Sequence, residues 1–198
     1  MAGPTGAVNS ANIFTGGPDQ AVTGAVLSAP IGTTLPTSIS GTLPAAFAAS
    51  GYVSDKGLSL TPNRATKDIK DWSNTVIRKV LDSFDNELEW ENLETNEASL
   101  KTYWGDANVT VTAATATTGT QTKTAVNSED LPHKAWAFKI KDGARKVLIV
   151  IPDGQVTSQN KIDFVRTDAI KWGVKLTTYP DATGNHIYIY TDDGVFSA

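Results

Sequence analysis

Residues 134–152 read KAWAFKIKDGARKVLIVIP, and this stretch does most to limit the fold. Trp136, Phe138 and Ile140 recur at every second position, so one strand face is apolar. The Asp142-Gly143 pair that follows is a strong two-residue hairpin signal. The returning strand carries five consecutive aliphatic residues, 147–151, before Pro152 ends the run. An uninterrupted apolar strand of that length is expected to be buried on both faces, so the hairpin needs further layers above and below it.

Those layers are available along the chain. YVSDKGLSL (52–60) reads as a short alternating strand or a hairpin around Lys56-Gly57. TVIRKVLDS (75–83) and NELEWENLE (86–94) read as two strands joined near Asp85-Asn86. NVTVTAATATT (108–118) is dense in β-branched residues, and AIKWGVKLTTY (169–179) and NHIYIYTD (185–192) flank a turn-rich PDATG. This spacing predicts a meander or sandwich of antiparallel strands rather than βαβ units.

One segment departs from that pattern. Residues 96–104 predict a single short helix, with Asn96 as N-cap and Glu97 where the helix dipole favours an anion. Leu100, Tyr103 and Trp104 fall at i, i+3 and i+4 and form one apolar stripe, while Lys101 faces water. Gly105 is expected to close the last turn in the left-handed conformation. A helix this short does not persist alone in water, so helix-on-sheet packing through Leu100, Tyr103 and Trp104 is expected.

Residues 1–54 contain one charged side chain, Asp19, among frequent prolines and glycines. Composition leaves two readings open, a disordered tail or an extended, moderately apolar arm lying on a neighbouring surface. The absence of cysteine excludes a disulfide scaffold, a thiolate metal site and a cysteine nucleophile. No basic and apolar leader opens the chain, so no secretory signal is expected, and no apolar run is long enough for a membrane-spanning helix. A formal charge of −4 and a pI near 5.1 argue against general nucleic-acid binding.

Catalytic chemistry finds little support. His133 and His186 lack ligand-type spacing, and His186 leads the alternating HIYIY strand as a sheet-surface residue. No nucleophile elbow, zinc-protease or phosphate-loop motif is present. Residues 82–97 hold seven carboxylates and no Lys or Arg. Within them Glu87, Glu89 and Glu91 alternate along one strand and point from one face. A flat row does not converge as a calcium loop does, which leaves a solvated strand face or a functional anionic surface. Upstream, Arg64, Lys67, Lys70, Arg78 and Lys79 stand against Asp68 and Asp71. The basic and acidic stretches either pair internally or meet head to tail between copies.

Taken in order, the pieces resemble the major tail (tail tube) proteins of long, non-contractile-tailed bacteriophages of actinobacteria. The resemblance rests on a Pro/Gly/Ala-rich arm, then GYVSDKGLSLTPNRATKDIKDW, ENLETNEASLKTYWG, a Thr-rich strand and AIKWGVKLTTYPDATGNHIYIYTDDG. It implies a mainly β fold of two packed antiparallel sheets flanked by one short α-helix. Residues 1–51 would be an extended N-terminal arm contacting neighbouring subunits, and 52–198 the β-domain.

It further implies a non-enzymatic virion protein without cofactors or membrane contact, assembled in the host cytoplasm. Homo-hexameric rings would stack into a helical tube around a tape measure protein. Tail terminator and distal tail or baseplate proteins would sit at its ends, and double-stranded DNA would pass without specific binding. Four strands from each of six copies would close a barrel about 48 Å across the backbone. Six copies at −4 each carry −24 formal charges, and a carboxylate-lined lumen repels phosphate. Glu87, Glu89 and Glu91 are the candidate lumen-facing row. The competing expectations are a β-sandwich adhesin, receptor-binding or decoration protein on the virion surface and, more remotely, a hydrolase using the acidic cluster.

Overall fold

The computed structural model describes residues 8, 12–20 and 23–196. Among these residues the fold is mainly β, with two antiparallel sheets and one α-helix. Strands β1 (Val26–Pro30), β2 (Ala48–Ala49), β3 (Ser59–Lys70), β4 (Val76–Asn92), β7 (His133–Asp142), β8 (Arg145–Gln159), β9 (Trp172–Tyr179) and β10 (Tyr188–Asp192) share one sheet. Its order is β2-β1-β7-β8-β9-β4-β3, with β10 beside β8. Strands β5 (Val109–Thr112) and β6 (Gln121–Thr124) form the second.

The large sheet folds over on itself because β8 changes neighbours along its length. Its first half lies between β7 and β10, with Val150 opposite both Ala137 and Tyr188. Its second half pairs with β9, from Asp153 opposite Tyr179 onward. Between them the β7 ladder slips, Trp136 facing Ile151 but Lys134 facing Gly154. Pro152 sits at this bulge, where its missing N–H removes no regular rung. The strand thus runs through the proline expected to end it. Trp90 on β4 stacks edge-on against Trp136 and Phe138 of β7 at 5.3 and 5.2 Å between ring centroids. Since β4 and β7 are separated by two strands in the sheet order, these contacts require two facing layers.

The core follows from alternation. Trp136, Phe138, Ile149 and Ile151 point between the layers with Leu88, Trp90, Val174 and Leu176. Ala135, Ala137, Leu148 and Val150 point the other way, under Phe47 and beside Leu35, Ile39 and Leu43. Residues 148–151 are buried on both faces for this reason, and Val147 at the start of the run is half-buried. Residues 23–51, read from composition as part of an arm, include β1, which pairs with β7 from Val26 opposite Phe138 to Pro30 opposite Lys134. Val26, Leu27, Ala29 and Phe47 are buried in their own chain, so this segment belongs to the β-domain.

Three other expectations are corrected. Asp85-Asn86 is not a turn: both residues are paired inside the single strand β4, opposite Asn63 and Pro62, and Asn86 is buried. The turn lies at Asp71–Thr75, where the Asp71 carboxylate accepts from Ser73 Oγ and Thr75 N at 2.8 Å and Asn74 takes φ +66°. The Thr-rich segment 108–118 stops being strand at Thr112, because Thr115 Oγ1 accepts from the Thr118 amide at 3.1 Å and bends the chain back. Gly105 has φ +92° and ψ 149°, an extended conformation specific to glycine rather than the left-handed helical one.

A tight approach supports the helix start. A Cβ on Gly51 would lie 2.2 Å from the Glu94 carboxyl carbon, and Gly51 has φ +88°. The Glu94 carboxylate accepts from Tyr52 N and Asn96 Nδ2, both at 2.9 Å. Gly51→Ala displaces that carboxylate and strains the backbone, so a loss of about 2 kcal/mol is expected in urea unfolding.

Candidate assembly surfaces

The residues singled out by sequence fall on two surfaces of the second layer. Helix α1 (Glu97–Trp104) starts at Asn96, whose Oδ1 accepts from Ser99 N at 2.8 Å. Leu100 and Tyr103 are buried and Trp104 is half-buried. The Tyr103 ring meets Trp172 of β9 edge-on at 5.4 Å, and its hydroxyl donates to the Asn160 carbonyl. Ser99 and Thr102 complete the buried side of the helix, Ser99 Oγ donating to Ser50 O at 2.7 Å.

The carboxylates Glu87, Glu89 and Glu91 share the face of β4 opposite Leu88 and Trp90. Their cross-strand neighbours are polar: Thr61 and Ser59 from β3, Thr177 and Lys175 from β9. Gln155 and Thr157 of β8 extend the same face, with Thr157 Oγ1 and Thr177 Oγ1 2.8 Å apart. Hence the start of β3, the inner end of β4, β9 and the end of β8 present one apolar face to the core and one hydroxyl- and carboxylate-rich face outward.

The three acids differ in their surroundings. Glu87 lies 3.6 Å from Lys175, Glu89 is exposed and accepts from Asn160 Nδ2 at 3.1 Å, and Glu91 is buried against Lys56 Nζ at 2.6 Å. Cations from other elements therefore moderate the row, which the local sequence does not display. Burial pushes the Glu91 carboxyl up, but the Lys56 ammonium, with Ser54 and the charge of Lys171, outweighs this and holds it below the usual range. A depressed carboxylate contributes stability above its unfolded pKa of about 4.3, and that contribution disappears as pH falls through the folded value. Because Lys56 is mostly in water, Glu91→Gln is expected to cost only about 1 kcal/mol at pH 7. Urea unfolding at pH 7 and pH 3 checks this, with the gap between variant and parent closing at pH 3.

The second surface is a projecting ribbon. Only residues 87–92 of β4 pair with β9, so among the described residues β3 from Pro62 and β4 up to Asn86 pair solely with each other. Most of this ribbon is exposed on both faces. Ile69, Trp72, Val76, Ile77 and Leu81 are exposed there, with Trp72 fully in solvent at the turn. Among the described residues, no ion pair joins the basic stretch 64–79 to the acidic stretch 82–97. Within the ribbon Lys79 pairs with Asp68 at 2.6 Å.

The histidines are engaged in packing. His133 Nδ1 lies 2.6 Å from Asp153 Oδ1 with its ring over Tyr179, and His186 packs against Phe84 at 5.2 Å. Among the described residues no cluster of three His, Cys, Asp or Glu side chains is placed to hold a metal ion, and no helix is long and apolar enough to cross a membrane.

A family described as phage tail tube protein matches residues 9–197. The chain belongs to the phage tail tube protein family. A tail tube protein is a structural component of the phage virion, and the family is a structural rather than an enzymatic one. No curated protein matches the sequence. Among solved structures, the anti-feeding prophage cap (AFP tube terminating cap), determined by cryo-EM, is similar at 12% identity. The match covers 85% of this chain and 89% of that one, with a TM-score of 0.46.

In this tail tube protein the basic stretch 64–79 was singled out by sequence, but its place on a projecting ribbon was missed. Its signal was present: basic residues and scattered aliphatics run through 64–81 with no alternation of buried and polar positions, as in a strand pair that covers no core.

Proposed function

We propose that six copies close into a ring and that rings stack into the tail tube of a long, non-contractile-tailed phage of actinobacteria. The observation that carries this reading is the four-stranded segment formed by the start of β3, residues 87–92 of β4, β9 and the end of β8, apolar toward the core and polar outward, with β3 as an open edge among the described residues. An unpaired edge demands a neighbour, and identical copies supply one when a barrel closes. Glu87 and Glu89 then face the lumen, with Glu91 at the covered end of the row, so that DNA slides through without being bound. A tape measure protein fills the lumen during assembly in the host cytoplasm, and terminator and distal tail or baseplate proteins close the two ends. Residues before β1 reach neighbouring subunits, and no residue has a catalytic role.

Negative-stain electron microscopy of the purified chain tests the reading. Rings and tubes of uniform diameter are expected. Single particles at high concentration would overturn it and favour a sandwich displayed on the virion surface.

A further inference from the structure

The two ends of the β3–β4 ribbon carry features that one copy leaves unmatched. At the turn, Trp72 projects fully into solvent with Val76 and Ile77 exposed beside it. A lone exposed aliphatic residue is ordinary, whereas a cluster including a whole indole marks a docking surface. At the opposite end, where β3 begins, a cleft of about 300 Å³ opens onto the core. It is lined by Pro18, Val26, Val53, Leu58, Phe138 and Ile140. That volume lies at the lower end of what small-molecule pockets offer and admits one two-ring side chain.

Geometry keeps the two apart within one molecule. From Leu58 to Trp72 the chain runs almost wholly extended, so at the rise of a strand they lie about 45 Å apart. Charge adds to this. The stretch 64–79 carries five cations and two anions, whereas the cleft end is mixed, with Asp55 and Lys139 in its lining and Glu94, which forms no ion pair among the described residues, at that end of β4. The basic stretch makes no ion pair with the acidic stretch of its own subunit among the described residues, which leaves its cations placed to meet Asp55 and Glu94 of the next copy.

We propose that Trp72 of one copy docks head to tail in this apolar cleft of a second copy. This inference rests on the tube reading and names one of its contacts. A contact joining one end of a subunit to the opposite end of the next is heterologous, so it repeats without using itself up. The indole is the anchor, and the basic flanks of the turn set its orientation through Asp55 and Glu94.

Because the chain contains no cysteine, disulfide trapping reads this contact directly. Ser73→Cys beside Trp72 and Asp55→Cys at the rim both replace exposed residues, and their separation within one copy forbids an internal bond. Mild oxidation of the full-length double variant is expected to give a ladder of linked oligomers, absent from either single variant. A dimer from Ser73→Cys alone would mean tip-to-tip contact and overturn the proposal. So would no cross-link in the double variant, whether or not tubes form.

Independently, Trp72→Ser is expected to raise the concentration needed for assembly about thirtyfold, the loss of a hot-spot residue. Assembly at the parental concentration would overturn the contact and leave the tube reading standing. Failure of the parent protein to assemble would instead sink the tube reading, while the cross-link still decides whether the contact exists.

Discussion

Replacing Trp90 with alanine is expected to remove about 3–5 kcal/mol of folding stability, the cost of emptying a large aromatic site in a closed core. Trp90 is 1% exposed and wedges between the two layers, touching both Trp136 and Phe138 edge-on. Its indole N–H also donates to Asn92 Oδ1 at 3.2 Å, and Asn92 is fully buried. The substitution therefore leaves a void between layers and a buried amide oxygen without its donor. In a domain of this size the melting temperature should fall by about 10–15 °C. A scanning calorimetry shift of only a few degrees would mean that the layers close over the gap. Trp90→Phe, which keeps an aromatic in the wedge, should recover most of the loss.

Shortening the ribbon is expected to do the reverse, sparing stability and abolishing assembly. Thr66 pairs with Leu81, and residues 67–80 beyond them make no contribution to the buried core. Replacing 67–80 by Asn-Gly closes the same ladder with a favoured two-residue turn. The melting temperature should stay within a few degrees of the parent, because a two-stranded ribbon without a covering layer contributes little by itself. Electron microscopy should then show dispersed particles where the parent forms tubes. Tubes of normal length from the shortened chain would remove the ribbon from the assembly machinery.

Legibility in the sequence followed the amount of local constraint. The hairpin was readable to within one residue because a tight turn and the flanking alternation fix each other: Asp142 still pairs with Arg145 as the end of β7, so the two turn residues are Gly143, at φ +63°, and Ala144. The helix was readable from Asn96 and its i, i+3, i+4 spacing, since capping and stripe are both local.

Strand β1 was hidden by its setting. VLSAP has no alternation to show, being buried on both faces except at Pro30 and flanked by proline and glycine. Its strand character comes wholly from β7. Pro152 misled because a proline inside a strand is tolerated only at a bulge, and the bulge here is set by the partner strand. Asp85-Asn86 misled for a similar reason: both are turn-formers, held straight by β3 on one edge. The acidic row was placed on the right strand, but Lys175 and Lys56, which temper it, come from elsewhere in the chain. A truncation at residue 50 designed from composition would remove β1 and the cover over Leu148 and Val150.

The pairing of β1 with β7 also sets an order of events during synthesis. Val26 lies opposite Phe138, more than a hundred residues downstream, so the closing of that loop carries a large entropic penalty and is slow. Leu27, Ala29 and Phe47 emerge from the ribosome long before the strands that shelter them exist. Translation must have passed β8 before they can be covered. Until then the nascent chain presents these apolar side chains to solvent and to its sister chains, and β1, made early, is among the last strands to be seated.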